Sequence, residues 1–310
     1  MKKTAAIIFA LCLSLATFAQ SLKLTLKDGS TLYVDFYADN IVRLFHDADG
    51  GAMRMPVADP PADIIVPGAR GEVSAIGAGD GWVGTPELKV SVVEGGVIRI
   101  SRNLGISGGN TDFRLFDARI SHEGGKTRFS YKEESQAYYY GGGIQNGRFS
   151  HRGQSIAIEN QNSWTDGGVC SPAPWFWSTD GYGILWNTFA KGTYSFGKDI
   201  VLEHDTTLLD VFVFLGLEPV ELLQAYYQLT GAPVLLPKFG FYEGHLNAYN
   251  RDYWKESPDG ILFEDGKRYV ESQKDNGGIK ESLNGELPGN YQFSARAVVD
   301  RYQAADMPLG

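Results

Sequence analysis

Over long tracts of this chain apolar and polar residues alternate with a period of two, the mark of strands with one buried face. Residues 22–26 and 31–36 alternate on either side of Asp28-Gly29, a pair suited to a hairpin turn. The pattern continues through 41–45, 87–93, 97–101, 113–120 and 127–131, with turns at Glu94-Gly95-Gly96 and Glu123-Gly124-Gly125. Residues 49–63, with Gly50-Gly51 and Pro60-Pro61, read as loop. Short strands at regular intervals predict a β-sandwich.

The stretch 209–250 breaks the pattern. Residues 209–215 form an apolar run that reads as a buried strand. Pro219 then opens a helix at the position where a missing N–H costs nothing. Leu222, Leu223, Tyr226 and Leu229 fall on one face of it. Gly231 stands where a left-handed C-cap belongs, and Pro233 blocks continuation. A second strand, 238–242, runs into the polar cluster Glu243, Gly244, His245 and Asn247. Residues 251–290 are charged and glycine-rich, and 291–304 read as a helix.

Composition narrows the class. The 310 residues are 43% hydrophobic with 38 Gly, in keeping with many turns. The net charge is −9 and no Lys/Arg block is visible, which argues against nucleic acid as a partner. Lys2-Lys3, an apolar run over 5–18 and Ala19 have the form of a secretory signal peptide cut after Ala19, so a secreted or periplasmic protein is expected. That run is too short for a membrane span. Only Cys170 remains after the cut, which excludes an internal disulfide and predicts a buried small residue. The other histidines, His46, His122, His204 and His151, fall on separate strands, turns or loops, so no zinc site is expected.

Two stretches carry candidate chemistry. Tyr138-Tyr139-Tyr140-Gly141-Gly142-Gly143-Ile144-Gln145 lacks the Lys-Ser/Thr ending of a phosphate loop. Its glycines suit either a β-bulge or a close backbone approach to a ligand. The loop between Glu159 and Trp175 mixes polar and aromatic residues, and Trp164 stands alone among polar neighbours. A surface loop and a sugar-binding platform both fit it, since flat aromatic faces serve both core and carbohydrate contacts.

These motifs carry a resemblance. Strand 213–216, helix 217–223, Tyr226 to Gly231, then Pro237 and Gly240, resemble one segment of glycoside hydrolase family 31. Trp175-Phe176-Trp177, Asp180-Gly181 and Tyr182-Gly183 resemble a strand pair of that family. The resemblance implies a mainly β fold: an N-terminal galactose-mutarotase-like β-sandwich followed by the first βα unit of an incomplete (β/α)8 barrel. The implied division is 1–19 signal peptide, 20–215 sandwich, 216–236 linker helix and connection, and 237–310 barrel start, with a loop insertion at about 251–290. It further implies a retaining α-glycosidase acting on oligo- or polysaccharide without metal or organic cofactor, with transglycosylase and lyase relatives open. The family's two catalytic Asp residues lie on later barrel strands, so no catalytic residue is expected here. The residues after Pro237 are far fewer than the about 250 of a complete barrel.

Family members carry Tyr-Gly-x-Gly-Glu where this chain has Tyr140 to Gly143, and Gln145 or Ile144 replaces the acid. Asn162 stands where members have an Asp that helps bind sugar. Asn162 and Trp164, with Tyr242, Glu243, His245 and Asn247 at the carboxyl end of the expected first barrel strand, are the candidate substrate-binding residues. A non-catalytic carbohydrate-binding sandwich is the alternative. A sugar epimerase would need a His/Glu pair in the sandwich cleft, and the spacing offers none.

Overall fold

The computed structural model describes residues 22–51, 64–103, 112–237 and 252–307. The expected strand at 238–242 and the candidates Tyr242, Glu243, His245 and Asn247 lie outside the described residues. The chain divides into two compact units, 1–232 and 233–310.

The first unit is antiparallel β. In chain order its strands are β1 (Leu22–Thr25), β2 (Thr31–Ala38), β3 (Ile41–Asp47), β4 (Gly77–Gly79), β5 (Trp82–Gly84), β6 (Leu88–Val93), β7 (Val97–Asn103) and β8 (Asp112–Glu123). There follow β9 (Lys126–Lys132), β10 (Tyr139–Gln145), β11 (Ser155–Ile158), β12 (Val169–Ser178), β13 (Tyr182–Trp186), β14 (Gly192–Phe196), β15 (Asp199–His204) and β16 (Leu208–Leu215). One sheet has the order β1-β2-β3-β16-β13-β12-β10, the other β11-β14-β15-β9-β8-β7-β6-β5-β4. Their inward residues form a shared core that includes Leu44, Ile100, Phe129, Phe176, Trp186 and Val213. The sandwich expected from the alternation is therefore present. The sequence reading passed over β14 and β15, although Tyr194, Phe196, Ile200 and Leu202 alternate into the core.

Strand β16 is buried on both faces. Val211, Val213 and Leu215 enter the sandwich core, while Phe212 and Phe214 face the other way. That outer face is covered by helix α1 (Pro219–Thr230) through Leu222, Ala225 and Leu229. Leu223 and Tyr226 lie at the half-buried border of this face. The Glu221 side chain accepts from the Leu217 and Glu218 amides and closes the helix start. Gly231 ends the helix at φ 85° and ψ 147°, an extended conformation reserved for glycine, rather than in the left-handed helical cap expected.

Two polar networks hold the sandwich. In the first, the Arg43 guanidinium donates to both oxygens of Asp210 at 2.6 and 2.9 Å, and the Asn187 amide adds a third donor at 2.9 Å. Both charged side chains are 1% exposed. Burial pushes the Asp210 carboxyl up, and Arg43 and Asn187 oppose that shift. In the second, His46 Nδ1 and His122 Nε2 lie 3.0 Å apart, with the rings stacked. No local pattern pairs them; the packing of β3 against β8 does so across the sandwich. The Ser30 hydroxyl extends this chain to Asp28 and the Thr127 hydroxyl extends it to the Thr206 carbonyl. Both ends are pure acceptors, so five bonds call for five protons, and two neutral rings leave the chain one proton short.

The second unit contains β17 (Tyr253–Leu262), β18 (Arg268–Ser272) and β19 (Ile279–Lys280) in the order β18-β17-β19. The segment expected as a loop insertion is thus a small antiparallel sheet. Phe293 stacks on Trp254 and meets Phe263 and Tyr269 edge-on or tilted, forming a compact aromatic core. The expected helix begins later, as α2 (Ala295–Ala304), where the Ser294 hydroxyl caps the Ala297 amide. A 3-10 turn over Tyr291–Phe293 precedes it.

Arg43→Met and Asp210→Asn should each destabilise the chain by about 3–5 kcal/mol in urea titrations, since each strands a buried charge or its partner. The double variant Arg43→Met/Asp210→Asn should cost clearly less than the sum; strict additivity would refute the coupling. A second expectation concerns pH. His204 donates from Nδ1 to the Ala190 carbonyl and accepts at Nε2 from the Tyr194 hydroxyl, and burial lowers it to about 4. The unfolded chain takes up that proton near its ordinary value of about 6.5. Stability from this group is therefore complete above about pH 6.5 and declines toward pH 4, by roughly 3 kcal/mol. A ring-proton NMR titration should place the His204 midpoint below 5, and a midpoint above 6 would contradict this packing.

Candidate functional site

The glycine-rich strand β10 runs along the sheet edge against β12, and its register slips there. Gly141 pairs with Phe176 but Gly143 with Pro172. Gly142 therefore stands alone against Ala173, Pro174 and Trp175, a bulge of three residues against one. Pro172 and Pro174 have no N–H to give, so strand carbonyls of β10 need other donors. Side chains supply them. The Gln145 amide donates to the Gly142 carbonyl at 2.9 Å and to the Ala157 carbonyl at 3.1 Å. His151 Nε2 lies 2.8 Å from the Gly141 carbonyl and donates to it. Both side chains are buried. A glutamate at 145 could not make these donations when ionised. The glycines are required: Gly141, Gly142 and Gly143 all have positive φ, and a Cβ on Gly143 would lie 2.1 Å from the Ser171 oxygen.

A second slip, between Ile144 and Gln145, leaves Cys170 out of the ladder. Its thiol is half-buried, not fully buried as expected, and donates to the Ser163 carbonyl at 2.9 Å. The Asn146 amide donates to the same carbonyl at 2.7 Å. The Asn146 backbone exchanges bonds with Gly168 and Gly167 at 3.0 and 2.8 Å, and the Ser163 amide donates to Val169. Asn146 therefore ties both flanks of the loop that carries the candidates Asn162 and Trp164. Sequence reading did not single out Asn146; the cue would have been a lone amide between a glycine-rich strand and Gly147.

Trp164 is 77% exposed, with no ring or hydrogen-bond partner among the described residues. Asn162 is exposed at φ 47°, a left-handed conformation that asparagine tolerates better than most residues, and its amide N–H bonds Asn160 Oδ1 at 3.0 Å. The structure thus places Asn162 and Trp164 on one tied loop. On the outer face of the same edge, Tyr140 stacks on Trp177 at 4.6 Å and Phe149 is exposed beside it. The tract offers an indole face and amide hydrogen bonds, and neither can attack or protonate a glycosidic bond. A separate cleft of about 580 Å³, lined in part by Asp112, Glu134 and Asp180, does not include this loop. Its acids are already engaged by Lys89, Arg114 and Ser135.

The family model for the glycosyl hydrolase 31 N-terminal galactose mutarotase-like domain matches residues 31–194, which spans β2 to β14 and includes the whole tied tract. The chain belongs to glycoside hydrolase family 31. It is 28% identical over 132 residues to an alpha-xylosidase of Emericella nidulans, covering 40% of this chain and 16% of that protein. In fold it is similar to a family 31 dextranase of Flavobacterium johnsoniae, with a TM-score of 0.57 and 18% identity over 70% of this chain and 28% of that one. A family 31 alpha-xylosidase from a soil metagenome gives a TM-score of 0.56 and 17% identity over 71% of this chain and 35% of that one. This family 31 chain therefore spans well under half the length of these relatives. Among its described residues no helix is long and apolar enough to cross a membrane.

Trp164→Ala should change the unfolding free energy by less than about 0.5 kcal/mol, as expected for an exposed side chain. Gly143→Ala should cost about 2 kcal/mol or more, against about 1 for Gly95→Ala, where the φ is also positive but the space is open. Equal losses for the two glycine variants in urea titrations would contradict the bulge geometry.

Proposed function

We propose that this chain is the N-terminal part of a secreted, retaining α-glycosidase that removes terminal α-linked sugars from oligo- or polysaccharides. The sandwich would lend the loop with Asn162 and Trp164 to the sugar site. The observation that carries the reading is the exposed Trp164 indole on a loop tied at both flanks by Asn146. A flat apolar face on a backbone tied at both flanks, beside amides, suits a pyranose ring, which has apolar C–H faces and a hydroxyl rim. Family membership supports the reaction class, and the similar proteins are named as xylosidases and a dextranase.

Retention requires two carboxylates about 5–5.5 Å apart, one attacking the anomeric carbon and one protonating the leaving oxygen. We assign that pair to barrel polypeptide that these 310 residues do not include, and the second unit to the beginning of that barrel. Residues 1–19 would act as the export signal. In this reading Tyr242, Glu243, His245 and Asn247 would be further substrate-binding residues.

Joined to its downstream reading frame, the protein should release nitrophenol from an aryl α-xyloside or α-glucoside, while the 310-residue chain alone should release none. Trp164→Ala in the long form should lower kcat/KM about tenfold, equivalent to about 1.4 kcal/mol, at unchanged Tm. Turnover by the 310-residue chain, or an unchanged kcat/KM in the variant, would contradict the proposal. Sugar binding without turnover by the long form would favour the non-catalytic binding module.

A further inference from the structure

The second unit gathers three carboxylates that their sequence spacing gives no reason to group. Asp252 precedes β17, Glu271 lies in β18, and Glu281 follows β19. Trp254 stands opposite Glu271 across the β17–β18 pair. On the other side the Glu281 amide donates to the Asp252 carbonyl at 2.9 Å, continuing the β17–β19 register. Asp252 and Trp254 are two residues apart and share a face of the sheet. Their cross-strand neighbours Glu281 and Glu271 share it with them. One oxygen from each of the three carboxylates lies within 4.8 Å of the other two.

A second observation concerns what faces these oxygens. Asp252 is only 6% exposed, and its Oδ1 accepts no hydrogen bond among the described residues. A buried carboxylate oxygen without a donor is strongly unfavourable, and buried charges are normally paired or bound to metal. Among the described residues the ion pairs of this unit, Lys267–Glu256, Arg296–Asp300 and Arg301–Glu264, leave all three acids out. The Trp254 indole N–H donates to Glu281 Oε1 at 2.8 Å and fixes that side chain.

We propose that Asp252, Glu271 and Glu281 form a binding site for a hard divalent cation, Ca2+, that clamps the three strands of this small sheet at one end. Oxygens around Ca2+ sit about 2.3–2.6 Å from the ion, so those on opposite sides are separated by about 5 Å, and the observed spread fits that shell. Mg2+ sheds its waters reluctantly and is usually held by only one or two carboxylates, whereas this site offers three. Zn2+ prefers nitrogen and sulfur ligands, and the site offers neither.

The indole beside the site supplies the probe. Tb3+ binds oxygen ligands as Ca2+ does and luminesces when a neighbouring indole is excited. The full chain, stripped with chelator, should show saturable Tb3+ luminescence on indole excitation that Ca2+ displaces, and millimolar Ca2+ should raise Tm by several degrees. Asp252→Asn and Glu271→Gln should each weaken Ca2+ at least tenfold, and Glu256→Gln should not. Glu271 is exposed, so its variant keeps the test decisive should the buried Asp252 variant fold poorly. The proposal is overturned by non-saturable luminescence, by Ca2+ binding that survives in Glu271→Gln, or by a chain stabilised through mild acidification but not by Ca2+. The last result would mean that the acids share a proton.

Discussion

Burial of β16 on both faces is the constraint that the first unit is built around. The strand sits between β3 and β13 and joins residues separated by most of the unit, such as Ile41 and Phe214. Its inward side chains fill the sandwich, and its outward phenyl rings demand a cover, which α1 provides. Each such side chain removed from water stabilises the fold by about 1.5–3 kcal/mol. The same double burial makes Asp210 hazardous, because it lies on the outward row with Phe212. The bidentate Arg43 and the Asn187 amide are the answer to that charge.

The tied tract follows from a different rule, that buried backbone groups must find partners. Pro172 and Pro174 take donors out of β12, and the glycines of β10 allow the chain to buckle against it. The carbonyls so released are met by Gln145 and His151. The next slip releases Cys170 and brings Asn146 over the root of the loop. Trp164 is thus held out in solvent by hydrogen bonds, with no apolar packing beneath it. An exposed indole on a fixed stem suits recognition, and its exposure has no role in stability.

Much of this was legible in the sequence because period-two alternation reports one-sided burial directly. The hairpin of β1 and β2, the strands β6 to β9, the strand β16 and the helix after Pro219 could all be read in that way. Short or glycine-rich strands such as β4 and β5 carry too few side chains to show a period. The contact of His46 with His122 and the grouping of Asp252, Glu271 and Glu281 depend on register between distant segments, which no local pattern encodes. The donor role of Gln145 toward the Gly142 carbonyl likewise depends on a strand pairing that its neighbours in sequence do not show. The two-sided reading of the glycines resolves in favour of the bulge.

Two tiers of hydrogen bonding therefore hold the first unit, a central ladder around β16 and the ties around Asn146. Amide hydrogen exchange on the full chain tests both at once. The account predicts that β16 amides exchange only through global unfolding, and that those of Asn146, Ser163, Gly167 and Gly168 are protected well above random-coil rates. Random-coil exchange at these four amides, with β16 still protected, would show that the loop is not held and would contradict the central claim.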